Sequence, residues 1–143
     1  MKDNNVTCTV ENKGYRGAFS YQINKHLDML ILSDDNLIFI LIGLNDRKRI
    51  NGTEELKINC EYVIDKLINK GKIVLLLTPT PSVHSNEYYP NRIYHTDEVV
   101  DILRNIVDRR KILLVDNCKY IIEHLVNNQL IIHNIYIWRG MYE

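Results

Sequence analysis

Asp35-Asn36-Leu37-Ile38-Phe39-Ile40-Leu41-Ile42-Gly43-Leu44-Asn45-Asp46 is the stretch whose reading decides the fold. Six apolar residues, Leu37 to Ile42, run without interruption and stop at a glycine. A short apolar run rich in β-branched residues reads as a strand buried on both faces, the kind from which parallel sheets are built. Gly43 lets the backbone turn without a Cβ clash, and Asn45 then offers an amide donor at the strand tip. Taken alone, Asn-Asp after a strand is a turn. In a parallel sheet the same place is where ligands bind, beyond the carboxyl ends of the strands.

The flanking sequence repeats the pattern. Upstream, Val6-Thr7-Cys8-Thr9-Val10 predicts a first strand, closed by Asn12-Lys13-Gly14. Gly14 to Ser20 is a glycine-bearing loop. Ser20 is an N-cap candidate for a helix to about Leu32, with Tyr21, Ile23, Leu27 and Leu30 at near-helical spacing. Downstream, Thr53-Glu54-Glu55 opens a helix whose apolar face includes Leu56, Cys60, Val63, Ile64 and Leu67, and Gly71 stops it. Ile73 to Leu77 is a second buried strand, ended by Thr78-Pro79-Thr80-Pro81, which cannot continue a ladder. After a polar, aromatic loop, Thr96-Asp97-Glu98 starts a third helix, Ile112 to Val115 is a third buried strand, and Cys118 to about Leu125 is helical. The order β-α-β-α-β-α-β-α gives a parallel sheet with helices on both faces and right-handed crossovers.

Composition sets bounds on function. The chain has 143 residues, enough for one domain, and buries about two-thirds of its unfolded surface. Lys+Arg and Asp+Glu are both 18, so the formal net charge is zero, which argues against a nucleic-acid partner. Cys8, Cys60 and Cys118 have neither metal-ligand nor redox spacing. Reduced thiols suit an intracellular compartment. Met1 to Asn5 has no apolar leader core, and no apolar run approaches the roughly 20 residues that span a bilayer. These features predict a cytoplasmic protein with no membrane span. No His/Cys/Asp/Glu set has metal spacing, and neither a metal nor a cofactor is expected.

Four strand tips stand in a row: Gly14 to Ser20, Gly43 to Asp46, Thr78 to Pro81, and Asp116-Asn117. Their pattern over roughly residues 6 to 125 resembles the SGNH (GDSL-type) hydrolases. That resemblance implies a flavodoxin-like three-layer α/β/α fold and cleavage of acyl or acetyl esters. The family's third block, Gly-x-Asn-Asp at the end of a buried strand, matches Gly43-Leu44-Asn45-Asp46. Its second block, a glycine in a loop before a helix, fits Asn12, Gly14 and Gly17, with Gly17 at the functional position. A strand ending in Thr-Pro, as at Thr78-Pro79, is also common there. Attack on an ester carbonyl places negative charge on its oxygen, and a preorganised donor there is worth about 3 kcal/mol. By resemblance, the Gly17 N–H and the Asn45 amide are two of three oxyanion donors, with Gly43 and Asp46 supporting the motif. The bottom-up alternative for Gly17 is a plain loop glycine with positive φ.

Two blocks do not fit. The family opens with a strand ending in Gly-Asp-Ser, which supplies the nucleophile; Val6 to Val10 instead matches its second strand. Ser20 reads as a cap and Ser33 as part of a turn with Asp34-Asp35. The family closes with Asp-x-x-His, where this chain has His133-Asn134-Ile135-Tyr136, an alignment supported only by Asn-Ile and Gly140. A neutral tyrosine with a pKa near 10 is a poor base, and His133 reads as an exposed histidine. His84 and His95 flank a loop with Tyr88, Tyr89 and Pro90, and His26 and His124 sit in predicted helices. None carries a role on spacing alone.

Three readings follow. The first is a divergent or truncated SGNH-like hydrolase lacking the family's first strand, with impaired or no catalysis, in the lineage of a small ester substrate. The second is a non-catalytic interaction module whose exposed sheet edges pair with a second copy or a complementing polypeptide. The third, a nucleotide-binding or signalling domain, lacks a phosphate-cradling glycine loop and an acidic cluster for Mg²⁺.

Overall fold

A computed structural model describes residues 7–82 and 91–128. Among these residues four helices and three strands alternate: α1 (Ser20–Leu30), β1 (Leu37–Leu41), α2 (Gly52–Asn69), β2 (Ile73–Leu77), α3 (Thr96–Arg110), β3 (Leu113–Val115) and α4 (Asn117–Asn127). A 3-10 turn at Asp46–Lys48 follows β1. The strands form one parallel sheet in the order β1-β2-β3. Leu37 pairs with Ile73 and Leu41 with Leu77; Leu75 pairs with Leu113 and Leu77 with Val115. This is the α/β class expected from the alternation.

The helical periodicity does what it predicts. Leu56, Val63, Ile64 and Leu67 of α2 meet Val99, Leu103 and Ile106 of α3 and Leu27 of α1 over Ile40, Val74 and Leu76 of the sheet. Cys118 and Ile122 of α4 pack separately, against Val100 of α3. Ion pairs run along the outside: Lys66 and Lys70 of α2 hold Asp28 of α1 at 2.6 and 2.7 Å, and Arg110 of α3 holds Asp65 of α2 at 2.8 Å. Gly71 ends α2 with φ +73°, a left-handed position that favours glycine.

Three expectations are corrected. Residues 7–10 form no strand, and Val10 is 82% exposed. A β-branched run needs a neighbour to satisfy its backbone, and none pairs with it among the described residues. Next, β1 is not buried on both faces. Ile40 is buried, whereas Leu37, Phe39 and Leu41 are exposed. β3 is likewise exposed at Leu113 and Val115. An apolar run records that both faces shun water, not that both are covered. Finally, Ser20 is not the cap of α1. Phe19 holds that position, and Ser20 is the first helical residue.

Candidate functional site

The site grows from the turn after β1. Gly43 has φ +107°, and a Cβ there would lie 2.8 Å from a Val99 methyl and 2.9 Å from a Leu56 methyl. Glycine therefore serves twice, by conformation and by letting β1 end directly against α2 and α3. Asp46 turns back, its N–H donating to the Gly43 carbonyl at 3.1 Å. Gly52 closes the same corner, since a Cβ there would fall 1.8 Å from the Asp46 carbonyl oxygen.

Asp46 is 1% exposed. Its carboxylate accepts from the Ser20 hydroxyl at 2.6 Å and, with both oxygens, from the Ser20 N–H at 3.1 Å. A carboxylate at the first turn of α1 meets the unpaired N–H groups and positive dipole end of that helix. Burial pushes the Asp46 carboxyl above its ordinary value, against the Ser20 donations that pull it down. Ser20 Oγ also accepts from Asn59 Nδ2 at 3.3 Å. Its hydroxyl proton goes to Asp46 and its side chain is buried, so Ser20 ties the start of α1 to the turn after β1.

The Asp46–Ser20 link sets the loop before α1 beside the tip of β1. Asn45 Nδ2 donates to the Ala18 carbonyl at 3.1 Å, which brings the Asn45 amide to the residue following Gly17. Gly17 has φ +80°, is exposed, and has open space where a Cβ would stand. Its N–H has no hydrogen-bond partner among the described residues. An amide nitrogen carries two protons, so Asn45 keeps one beyond the bond to Ala18. Asn12 Oδ1 accepts from the Gly14 N–H at 2.9 Å, a local turn bond at the start of the loop.

Phe19 and Tyr21, on either side of Ser20, stack at 5.9 Å, with the Arg49 guanidinium 5.4 and 5.0 Å from their ring centres. Arg49 is fixed by a two-point bond to Glu55 at 2.8 and 3.1 Å. Neither this cluster nor the Ser20–Asp46 bond was anticipated from sequence. One signal was available: the residue before Ser20 is a phenylalanine with no acceptor, so an acceptor for the start of α1 had to come from elsewhere.

The neighbouring tips are tied together in the same way. Thr78 Oγ1 donates to Asp116 at 3.1 Å and accepts from the Cys118 N–H at 3.0 Å. Asp116 caps α4 through the Lys119 N–H at 3.0 Å and accepts from Arg104 at 2.8 Å. Burial works to raise the Asp116 carboxyl, but Arg104 and the Lys119 N–H hold it below its usual value. Asp116 is thus occupied as a cap and ion-pair partner.

His133, Tyr136 and Gly140 lie outside the described residues, as do His84, Tyr88, Tyr89 and Pro90. His95 stands at the N-cap position of α3. His26 and His124 are exposed on α1 and α4, and Ser33 lies in the turn before β1, at the opposite end of the strand from Asn45. A hollow of about 440 Å³ is also at that far end, lined by Ile31, Leu32, Ser33, Lys70 and Lys72. It lies away from the Asn45 corner. Cys8, Cys60 and Cys118 are free thiols; burial raises Cys60 to about 12, which leaves it inert. Among the described residues no group of three or more His, Cys, Asp or Glu could hold a metal, and no helix is long and apolar enough to cross a membrane.

The chain shares its fold with esterases. It superposes on an acetyl xylan esterase, AlAXEase, with a TM-score of 0.67 and 19% identity, covering 89% of this chain and 67% of that one. It superposes on the acetyl-xylooligosaccharide esterase Axe2 of Geobacillus stearothermophilus, in its W190I form, with a TM-score of 0.65 and 20% identity, covering 89% of this chain and 64% of that one. A possible lipase from Chitinophaga pinensis gives a TM-score of 0.57 at 18% identity, over 76% of this chain and 52% of the other. This chain therefore spans between about half and two thirds of the length of these structures. No protein-family model and no curated protein matches the sequence.

Proposed function

We propose that this chain is an SGNH-type ester-hydrolase domain in which Gly17 and Asn45 form an oxyanion-binding corner. The proposed lineage acts on acyl or acetyl esters. The observation that carries this is the 3.1 Å bond from the Asn45 amide to Ala18, beside a Gly17 N–H that has no partner among the described residues. The Gly-x-Asn-Asp spelling at the tip of β1 and the esterases sharing the fold support it. Donors at such a corner stabilise a developing oxyanion only when a nucleophile attacks nearby. Ser20 is committed to Asp46, and the residues at the expected base position are His133 and Tyr136. The proposal therefore assigns the chain oxyanion recognition with impaired or no turnover.

The test is to titrate the protein with an acetylated xylo-oligosaccharide and follow its amide spectrum, alongside hydrolysis of p-nitrophenyl acetate. The expected result is that the Gly17 N–H and Asn45 side-chain amide resonances move together, without hydrolysis above the spontaneous rate. Shifts confined to the far end of the sheet, or no shifts, would overturn the oxyanion corner. Saturable hydrolysis, abolished both by Asn45→Ala and by a serine-directed fluorophosphonate, would overturn the assignment of impaired catalysis.

A further inference from the structure

Among the described residues the sheet has one covered face and one bare face. On the bare face Phe39 is 61% exposed, Leu41 62%, Ile73 58%, Leu113 56%, Leu37 45% and Val115 39%. The register sets these residues on three adjacent strands with the same parity, so they form one continuous surface. None is polar or charged. Together they expose on the order of 600 Å² of apolar surface, the upper end of what a monomer ordinarily shows and close to the roughly 800 Å² that each partner buries in a stable dimer. Parallel sheets in water are covered on both faces.

We infer that this face is an interface between two copies of the chain, packed sheet against sheet about a two-fold axis. Three observations select a second copy as the occupant. The area approaches the roughly 800 Å² of a dimer half. The surface offers no charge for a partner of opposite sign to recognise, which leaves apolar self-complementarity as the basis of docking. The chain's formal charge is zero, so no net repulsion opposes self-association. Twisted sheets stack about 10 Å apart with strands within about 30° of each other, and a two-fold axis lets the same residues meet on both sides. The side chains involved have the opposite parity to Ile40, Val74 and Leu76, which already pack under the helices. Dimerisation therefore leaves each subunit's core unchanged. This inference rests on the sheet alone and not on the oxyanion corner.

Sedimentation velocity of the full chain across a wide concentration range tests it. The expected species has twice the chain mass, and Phe39→Asp weakens it at least tenfold while the circular dichroism spectrum stays that of the parent. Leu113→Lys, on another strand of the same face, gives the same loss, whereas Ile58→Asp on the exposed side of α2 leaves the dimer intact. Should Phe39→Asp fail to fold, Leu113→Lys and the concentration dependence of the parent still decide. A monomer at every concentration overturns the proposal: if it binds a hydrophobic dye, a different partner covers the face, and if it binds none, the chain's own residues do. A dimer indifferent to both Phe39→Asp and Leu113→Lys overturns it as well.

Discussion

The corner after β1 depends on Asp46, a buried charge that exchanges its hydration for the N–H and hydroxyl of Ser20. Removing a charged acceptor from a buried site costs its own hydrogen bonds and strands the donors left behind. Asp46→Ala is expected to destabilise the protein by about 2–4 kcal/mol on that basis, read as a fall in the urea midpoint with little change in slope. A change under about 0.5 kcal/mol, the range of an ordinary surface substitution, would mean that Ser20 finds water or another acceptor. Sequence alone shows Asn-Asp as a turn and Ser20 as a cap, because both readings use only adjacent residues. The bond between Ser20 and Asp46 spans 26 positions. What remained legible was chemical: a strand tip rich in donors and acceptors, with Gly43 required for the turn.

The elements themselves were written in local periodicity. Leu56 to Leu67 marks the buried face of α2, and Ile73 to Leu77 coincides with β2 residue for residue. Val6 to Val10 had the same β-branched character, yet residues 7–10 lie outside the sheet, because strand formation is settled by a neighbour and not by the strand. Contacts between helices carry a pH signature. Lys66 and Lys70 hold the exposed Asp28 carboxyl down to about 2, from an ordinary value of 3.8. A depressed carboxyl pKa contributes stability that is fully present above the unfolded value and is lost as pH falls through the folded one. The α1–α2 contact should therefore weaken between pH 3.8 and about 2. Denaturant midpoints measured against pH should show Asp28→Asn below the parent at neutral pH, with the two curves converging near pH 2. Parallel curves throughout would show that the ion pair contributes nothing on folding.

At the scale of the whole molecule, one parallel sheet serves two surfaces. Its carboxyl end brings the loop before α1 to the tip of β1, and its bare face presents three strands of apolar side chains. The first could be anticipated only in part: the turn after β1 is a β-to-α loop at the carboxyl end of the sheet, whereas the loop before α1 follows no strand among the described residues and is held there by the Ser20–Asp46 and Asn45–Ala18 bonds. The second could not, because an apolar strand reads the same whether its outer face meets a helix, another copy or water. The central claim is that the Asn45 amide faces the Gly17–Ala18 loop, and the most direct measurement is a nuclear Overhauser spectrum of labelled protein. Cross-peaks from the Asn45 side-chain amide protons to the Gly17 and Ala18 protons are the predicted result. Their absence, with the Asn45 amide protons instead contacting residues at the amino-terminal end of the sheet, would contradict it.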